Sequence, residues 1–213
     1  MSQAPSRPHW ARPSHKLQTP RLTLRSALPS DALPFALIHL AVEVQAQRLE
    51  AQKISTAAGK NAFLVIILKA SEELAEIDYV EDLRVHDGFL IGMTGFNSFS
   101  VGKSSDGADE DVLIGDTGVL VDYRFARRGF AMESLCAVVE YGFCDLGCGE
   151  ISLDTLAINA PFRGLMDAVG LRDVVVLRSV GDGTLDEEAH YVFNVRKWET
   201  AKKGVMGNGK WTL

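Results

Sequence analysis

Arg127-Arg128-Gly129-Phe130-Ala131 is the segment whose residue types and placement best fit ligand chemistry. An expected strand over 114–122 leads through Tyr123-Arg124-Phe125 into it, and an amphipathic helix is expected from Met132. A helix start carries backbone N–H groups without intrahelical partners and a partial positive charge, so it holds a phosphate. Gly129 and Ala131 allow close approach of the backbone, and Arg127 and Arg128 add positive charge. A basic first turn with incidental small residues contains the same letters, so the placement between strand and helix carries the argument. A second glycine segment, Gly95 to Lys103-Ser104, superficially resembles a P-loop. It fails on spacing, because a P-loop has four residues between its glycines and Gly95 and Gly102 are separated by six.

Bulk properties narrow the function classes. The 213 residues predict one domain over 17–200, between a flexible arm at 1–16 and a flexible tail at 201–213. A net charge of −6 argues against a partner bound by neutralising nucleic-acid phosphates. The three cysteines (Cys136, Cys144, Cys148) form no disulfide framework, and five singly scattered histidines offer no zinc spacing, so no metal is expected. The longest apolar run, 62–68, is far shorter than the roughly 20 residues that span a bilayer. The proline-containing start is not a secretory signal, and a cytoplasmic protein without membrane partners is expected.

The elements that position these residues follow from periodicity and punctuation. Arg21-Leu22-Thr23-Leu24-Arg25 alternates as a strand, and Pro29-Ser30-Asp31 opens a helix over 32–44. Residues 45–76 read as mostly helical, with Gly59 breaking the pattern and Ser71-Glu72-Glu73-Leu74 marking a short second segment. Asp87-Gly88 is a two-residue hairpin signal between strands at 79–86 and 89–99. Asp109-Glu110-Asp111 lies in a solvated turn before a strand over 112–122. The helix over 132–146 shows Leu135, Val138, Val139, Phe143 and Leu146 on one face and stops at Gly147. After a strand at 151–156, Asn159 caps a helix with Pro161 in its first turn, ending at Gly170. Strands at 171–180 and 190–196, joined by a Gly-Asp-Gly turn at 181–183, complete an α/β sheet of mixed direction.

Residues 115–122 followed by Arg128-Gly129-Phe130-Ala131-Met132-Glu133-Ser134-Leu135 resemble the central motif of the GNAT N-acetyltransferases, particularly the RimJ/RimL-like ribosomal-protein-alanine acetyltransferase branch. Thr19-Pro20-Arg21-Leu22-Thr23-Leu24-Arg25 resembles that branch's first strand. Asn159 with the helix ending Val169-Gly170-Leu171-Arg172 resembles its closing motif, and 191–198 its last strand. The resemblance covers 17–198 and is poor over 40–78, where the family places much of its acceptor-binding region. It implies a mostly antiparallel sheet of six to seven strands with flanking helices and a parallel splay between the fourth and fifth strands.

The resemblance also implies acetyl-CoA as the acyl donor. Backbone groups of Val119, Leu120 and Val121 would hydrogen-bond the pantetheine arm, the amides of Arg127 to Ala131 would hold the pyrophosphate, and Asn159 would contact pantetheine. Asn159 serves equally well as a helix cap alone. An amine attacks the thioester directly, and Asp116 or Asp154 is the expected base, directly or through water. Asp116 as a residue that satisfies local backbone stands beside that role. Ala126 departs from the Gln or Arg frequent at the first motif position, and Phe162 occupies the place where relatives carry a thiolate-protonating hydroxyl. Tyr123 and Tyr191 are the remaining hydroxyl donors, and Cys136 falls on the buried side of its helix.

The reading is acetyl transfer to a primary amine of a small molecule by a monomer or homodimer. The alternatives are acetylation of a peptide N-terminus, or a GNAT-fold protein that binds acyl-CoA or another ligand without efficient transfer or with a repurposed reaction.

Overall fold

In the computed structural model, which describes residues 8–38, 42–72, 80–107, 109–179 and 187–213, the chain starts with β1 (Lys16–Gln18) and β2 (Leu22–Arg25). A 3-10 turn at Pro29–Asp31 opens α1 (Ala32–Ala36), and α2 (Val42–Ala57) precedes β3 (Ala62–Leu68). Then come β4 (Arg84–Val85), β5 (Gly88–Lys103), β6 (Asp111–Thr117) and β7 (Leu120–Val121). After α3 (Phe130–Cys144) follow β8 (Glu150–Leu156), α4 (Ala160–Ala168), β9 (Val175–Ser179), β10 (Glu187–Asn194) and α5 (Val195–Gly207). The sheet runs β1-β2-β3-β5-β6-β8-β10-β9, with the two-residue β4 and β7 both paired to β5. Every pairing is antiparallel except β6 with β8. Setting aside the short β1, β4 and β7 leaves seven strands, within the six to seven expected, with the parallel pair at the fourth and fifth.

The strand β3 corrects the expectation of helix across 45–76. Ala62, Leu64, Ile66 and Leu68 join the large core beneath α3, while Phe63, Val65 and Ile67 join a second core with Phe35 and Leu49. A strand buried on both faces shows no period-two alternation, so its sequence is a plain apolar run. The hairpin also differs from expectation: of the strand expected at 79–86 only Arg84–Val85 forms among the described residues, Val80–Leu83 being a 3-10 turn, and the loop is shifted by one residue. Val85 pairs with Gly88, so the loop is His86-Asp87, and Gly88 (φ 144°) is already in the strand. A Cβ on Gly88 would lie 2.0 Å from the Leu68 carbonyl oxygen, so glycine is required there for close strand approach. Residues 73–79 and the Gly-Asp-Gly turn at 181–183 lie outside the described residues.

Residues 8–16 and 201–213, within the expected arm and tail, make contacts with the rest of the chain. In the expected arm, Trp10 Nε1 donates to the Gly59 carbonyl (3.0 Å) and His9 Nε2 meets the Leu146 carbonyl (2.8 Å). Arg12 donates to the Tyr141 hydroxyl (3.0 Å) and the Asp145 carbonyl (3.0 Å). In the expected tail, α5 buries Ala201 and Val205, and Trp211 packs against Trp198 with ring centroids 6.1 Å apart and planes tilted by 53°. These anchors are long-range side-chain contacts and leave no local periodicity to read. Among the described residues no helix is long and apolar enough to cross a membrane.

His15 is buried against Tyr141, with Nδ1 2.7 Å from the hydroxyl oxygen and Nε2 without a partner. Burial, helped by the Arg12 charge, pushes its pKa down to about 4 from 6.5. Protonation therefore favours the unfolded chain: the stability is complete above pH 6.5 and is lost as pH falls toward 4, by about 3 kcal/mol. Urea midpoints at pH 7.5 and 4.5 should show a smaller acid loss in His15→Phe than in the parent chain. Equal losses would refute the assignment.

Candidate active site

The strands β6 and β8 pair in parallel only at Ile114 with Glu150, Gly115 with Ile151 and Asp116 with Ser152. Beyond that point β6 ends, while β8 continues alongside β10 through Leu156. The chain that leaves β6 turns back toward β5, where Val121 and Leu120 pair with Gly92 and Met93. Gly92 makes this possible, since a Cβ there would stand 2.1 Å from the Leu120 carbonyl oxygen. The Thr94 hydroxyl donates to the Gly118 carbonyl (2.8 Å) and fixes the break between β6 and β7. The result is a splay at the carboxyl ends of the two parallel strands, the place where open α/β sheets bind ligands.

Both strands are followed there by helix starts. After β7, the Asp122 carboxylate accepts from Arg124 N (2.9 Å), Nε (3.0 Å) and Nη2 (2.6 Å), which closes a 3-10 turn over Tyr123–Phe125. The next residues, Arg127 (φ 64°) and Gly129 (φ 83°), are both left-handed, and Gly129 is the N-cap of α3. Loops with left-handed positions of this kind turn successive N–H groups toward a common concavity that binds anions. The bond from Glu133 N to the Gly129 carbonyl (3.0 Å) is the first of the helix, so the amides of Phe130, Ala131 and Met132 lie ahead of the intrahelical ladder. Arg127, Arg128 and Gly129 are exposed, and among the described residues neither arginine has a carboxylate partner.

The loop is held from below. Glu133, fully buried in the first turn, accepts from Thr19 Oγ1 (2.6 Å), Arg21 N (3.0 Å) and Arg21 Nε (2.7 Å). Arg21 also donates from Nη1 to the Arg128 carbonyl (3.0 Å) and lies 4.5 Å over the Phe130 ring. The N-cap of α4 is Asn159, as expected: its Oδ1 accepts from Phe162 N (3.2 Å) and its Nδ2 donates to Thr155 Oγ1 (2.8 Å). Phe162 packs its ring against Tyr191 at 6.4 Å, and Tyr191 is buried, while Tyr123 is 84% exposed. Burial pushes the thiols of Cys136 and Cys148 up to about 12, so both stay protonated and are poor nucleophiles. The segment that resembled a P-loop ends at a carboxylate instead: Ser104 Oγ (3.1 Å), Ser105 N (2.6 Å) and Ser105 Oγ (2.6 Å) all donate to Glu150.

The opposite face of the sheet is where the acidic residues gather. Leu113, Ile151, Leu153, Tyr191 and Phe193 point into the core beneath α3, so alternation puts Asp116, Ser152, Asp154 and His190 on the other side. Among the described residues, the buried strand residues of the second core come from β3 and β5, so that core does not extend over Asp116, Asp154 and His190. Asp116 accepts from Asn97 Nδ2 (3.1 Å). Its pKa is raised by burial and by the charges of Asp154 and Glu188, against the opposing effects of Asn97 and His190. Asp154 is not a lone carboxylate, because Oδ1 is hydrogen-bonded to His190 Nδ1 across the β8–β10 pair. Sequence reasoning missed His190, since only the pairing of strands 36 positions apart brings the two together.

Comparison with known proteins agrees with this architecture. A 98-residue stretch is 29% identical to FsC-acetyl coenzyme A-N(2)-transacetylase of Aspergillus fumigatus, covering 44% of this chain and 42% of that protein. The match thus spans less than half the length of the relative. Among solved structures, RimJ of Mycobacterium smegmatis in complex with CoA-disulfide superposes with a TM-score of 0.64 at 15% identity, covering 95% of this chain and 97% of that one. The nucleotide-linked sugar GNAT FdhC superposes at 0.63 and 15% identity, with 93% and 99% covered. RimL, a ribosomal L7/L12 α-N-protein acetyltransferase, superposes at 0.60 and 12% identity, with 85% and 95% covered. These three show a shared fold. Residues 21–172 match the acetyltransferase (GNAT) domain, and the chain belongs to that family.

Proposed function

We propose that this protein transfers an acetyl group from acetyl-CoA to a primary amine of a small molecule by direct attack. The observation that carries the reading is the splay of β6 from β8, with the left-handed loop and start of α3 on one side and the acidic face of Asp116 and Asp154 on the other. In this reading the amides of Arg127 to Ala131 hold the pyrophosphate, with the exposed guanidinium groups of Arg127 and Arg128 adding charge. Backbone groups of Val119, Leu120 and Val121 line the arm of the donor, and Asn159 borders it as the cap of α4. The donor crosses the sheet through the splay, so its thioester is approached from the acidic face.

Asp116 and Asp154 draw a cationic amine to that face, where burial raises the pKa of Asp116. The name of the Aspergillus relative describes an acetyl coenzyme A-dependent N-transacetylase, which supports nitrogen as the acceptor. RimL's activity on a protein N-terminus keeps a peptide acceptor as the second reading.

Thiol release from acetyl-CoA should be followed with a panel of small amines and a panel of peptides with free N-termini. Turnover on small amines is the expected result. Turnover on peptides alone would transfer the assignment to the second reading. Coenzyme A binding without turnover on either panel would leave a ligand-binding GNAT protein, and absence of coenzyme A binding would overturn the site itself.

A further inference from the structure

The geometry points to His190, oriented by Asp154, as the general base of the transfer proposed above, on which this inference rests. His190 and Asp154 are directly opposite each other on β10 and β8, and the ring Nδ1 is bonded to Asp154 Oδ1. That bond fixes the ring and commits Nδ1 to the carboxylate. No partner of Nε2 is found among the described residues, and the side chain is 12% exposed, so it is not fully closed off from solvent. Asp116, one strand away on β6, lies on the same face. The other charged group of this face on β10 is Glu188, which is paired in register with Arg178 of β9, while His190 itself is opposite Val176. The second core, in which α1 and α2 pack, contains no residue of β6, β8 or β10 among the described residues.

Chemistry separates the roles. A neutral imidazole accepts a proton near neutral pH, where a carboxylate of ordinary pKa is too weak a base for an ammonium group. A carboxylate on Nδ1 selects the tautomer that presents Nε2 as the acceptor and stabilises the imidazolium formed. Asp154 is therefore a positioning residue, and Asp116 is the counter-ion that holds the incoming ammonium. In the step, Nε2 takes one proton from the ammonium, and the freed lone pair forms the C–N bond at the thioester carbonyl. The C–S bond then breaks with its electron pair on sulfur. The nitrogen's remaining surplus proton neutralises the thiolate, and the proton on His190 passes to solvent.

The test is the pH dependence of turnover on the best amine, together with calorimetric titration of coenzyme A, for the parent chain, His190→Gln, His190→Ala and Asp154→Asn. His190→Gln is expected to lower kcat about 10²-fold or more near pH 7 with coenzyme A affinity unchanged. Added imidazole should restore part of the activity of His190→Ala, an effect a purely structural role does not produce. Asp154→Asn should lose less activity and move the rising limb of the pH profile to lower pH, because an imidazole without its carboxylate partner is a weaker base. Unchanged turnover and pH limb in all three variants, or loss in His190→Ala that imidazole leaves untouched, would overturn the assignment. If His190→Gln does not fold, the limb in Asp154→Asn decides: a limb at the parental pH counts against the pair. A parent chain inactive on every amine and peptide would instead remove the transfer reading, a failure distinct from active variants with parental pH behaviour.

Discussion

Gly129→Val is expected to weaken coenzyme A binding about a hundredfold while leaving the fold intact. Gly129 has φ 83° and caps α3, and a β-branched residue in that conformation is a strong outlier. The left-handed position costs an ordinary side chain about 1–2 kcal/mol. Relief of that strain rotates the peptide groups on both sides of residue 129 and withdraws their N–H groups from the anion. Two hydrogen bonds to a charged oxygen contribute about 1.5 kcal/mol or more each, so their loss is about 3 kcal/mol, or two orders of magnitude in Kd. The added Cβ itself meets only the far end of Arg21 (Nη2 at 3.3 Å), which can move, so packing should survive. Calorimetric titration with coenzyme A, paired with thermal denaturation, checks both halves. A Kd changed by less than about threefold, under 1 kcal/mol, would count against the phosphate assignment.

Glu133→Leu is expected to produce the largest stability loss. The carboxylate is fully buried and receives Thr19 Oγ1, Arg21 N and Arg21 Nε. Removing one partner of a buried pair leaves the other polar groups desolvated and unsatisfied, at a cost of about 3–5 kcal/mol. For a chain of this size that lowers Tm by on the order of 10 °C. Glu133→Gln, which keeps the shape and one acceptor oxygen, should lose less. Both variants should also bind coenzyme A more weakly, since Arg21 ties the Arg128 carbonyl to this carboxylate. A Glu133→Leu melting temperature within about 2 °C of the parent, under 1 kcal/mol, would show that the network contributes little.

These two residues differ in how far their sequence announced them. Gly129 was readable because its role is local: a glycine between a strand and an amphipathic helix marks a backbone turn with open N–H groups, and the structure places it at that point. Asn159 was readable for the same reason, and it caps α4 as a short polar residue before Pro161 does. Glu133 reads as an ordinary first-turn acid, and nothing near it says that Thr19 and Arg21, more than a hundred positions away, meet it in the core. The strand β3 was hidden by its own burial, because two apolar faces erase the alternation by which strands are recognised. The anchored ends, held through Trp10, Arg12, His15 and Trp211, were hidden because their partners are distant in the chain.

The sequence by itself determined the order of elements around the central motif, from the strand before it to the helix after it, and the segment Arg127 to Ala131 with its helix start. Each of these follows from local periodicity, capping or turn chemistry. Tertiary structure alone decided which acids share a face and what each touches. The parallel register of β6 with β8 puts Asp116 beside Ser152, and the antiparallel register of β8 with β10 puts Asp154 opposite His190. Strand register is set by long-range pairing, and a shift of one residue would send the same side chains to the opposite face. The candidate loop was therefore visible in the letters, whereas the acid and imidazole that would handle protons exist as a group only once the sheet has assembled.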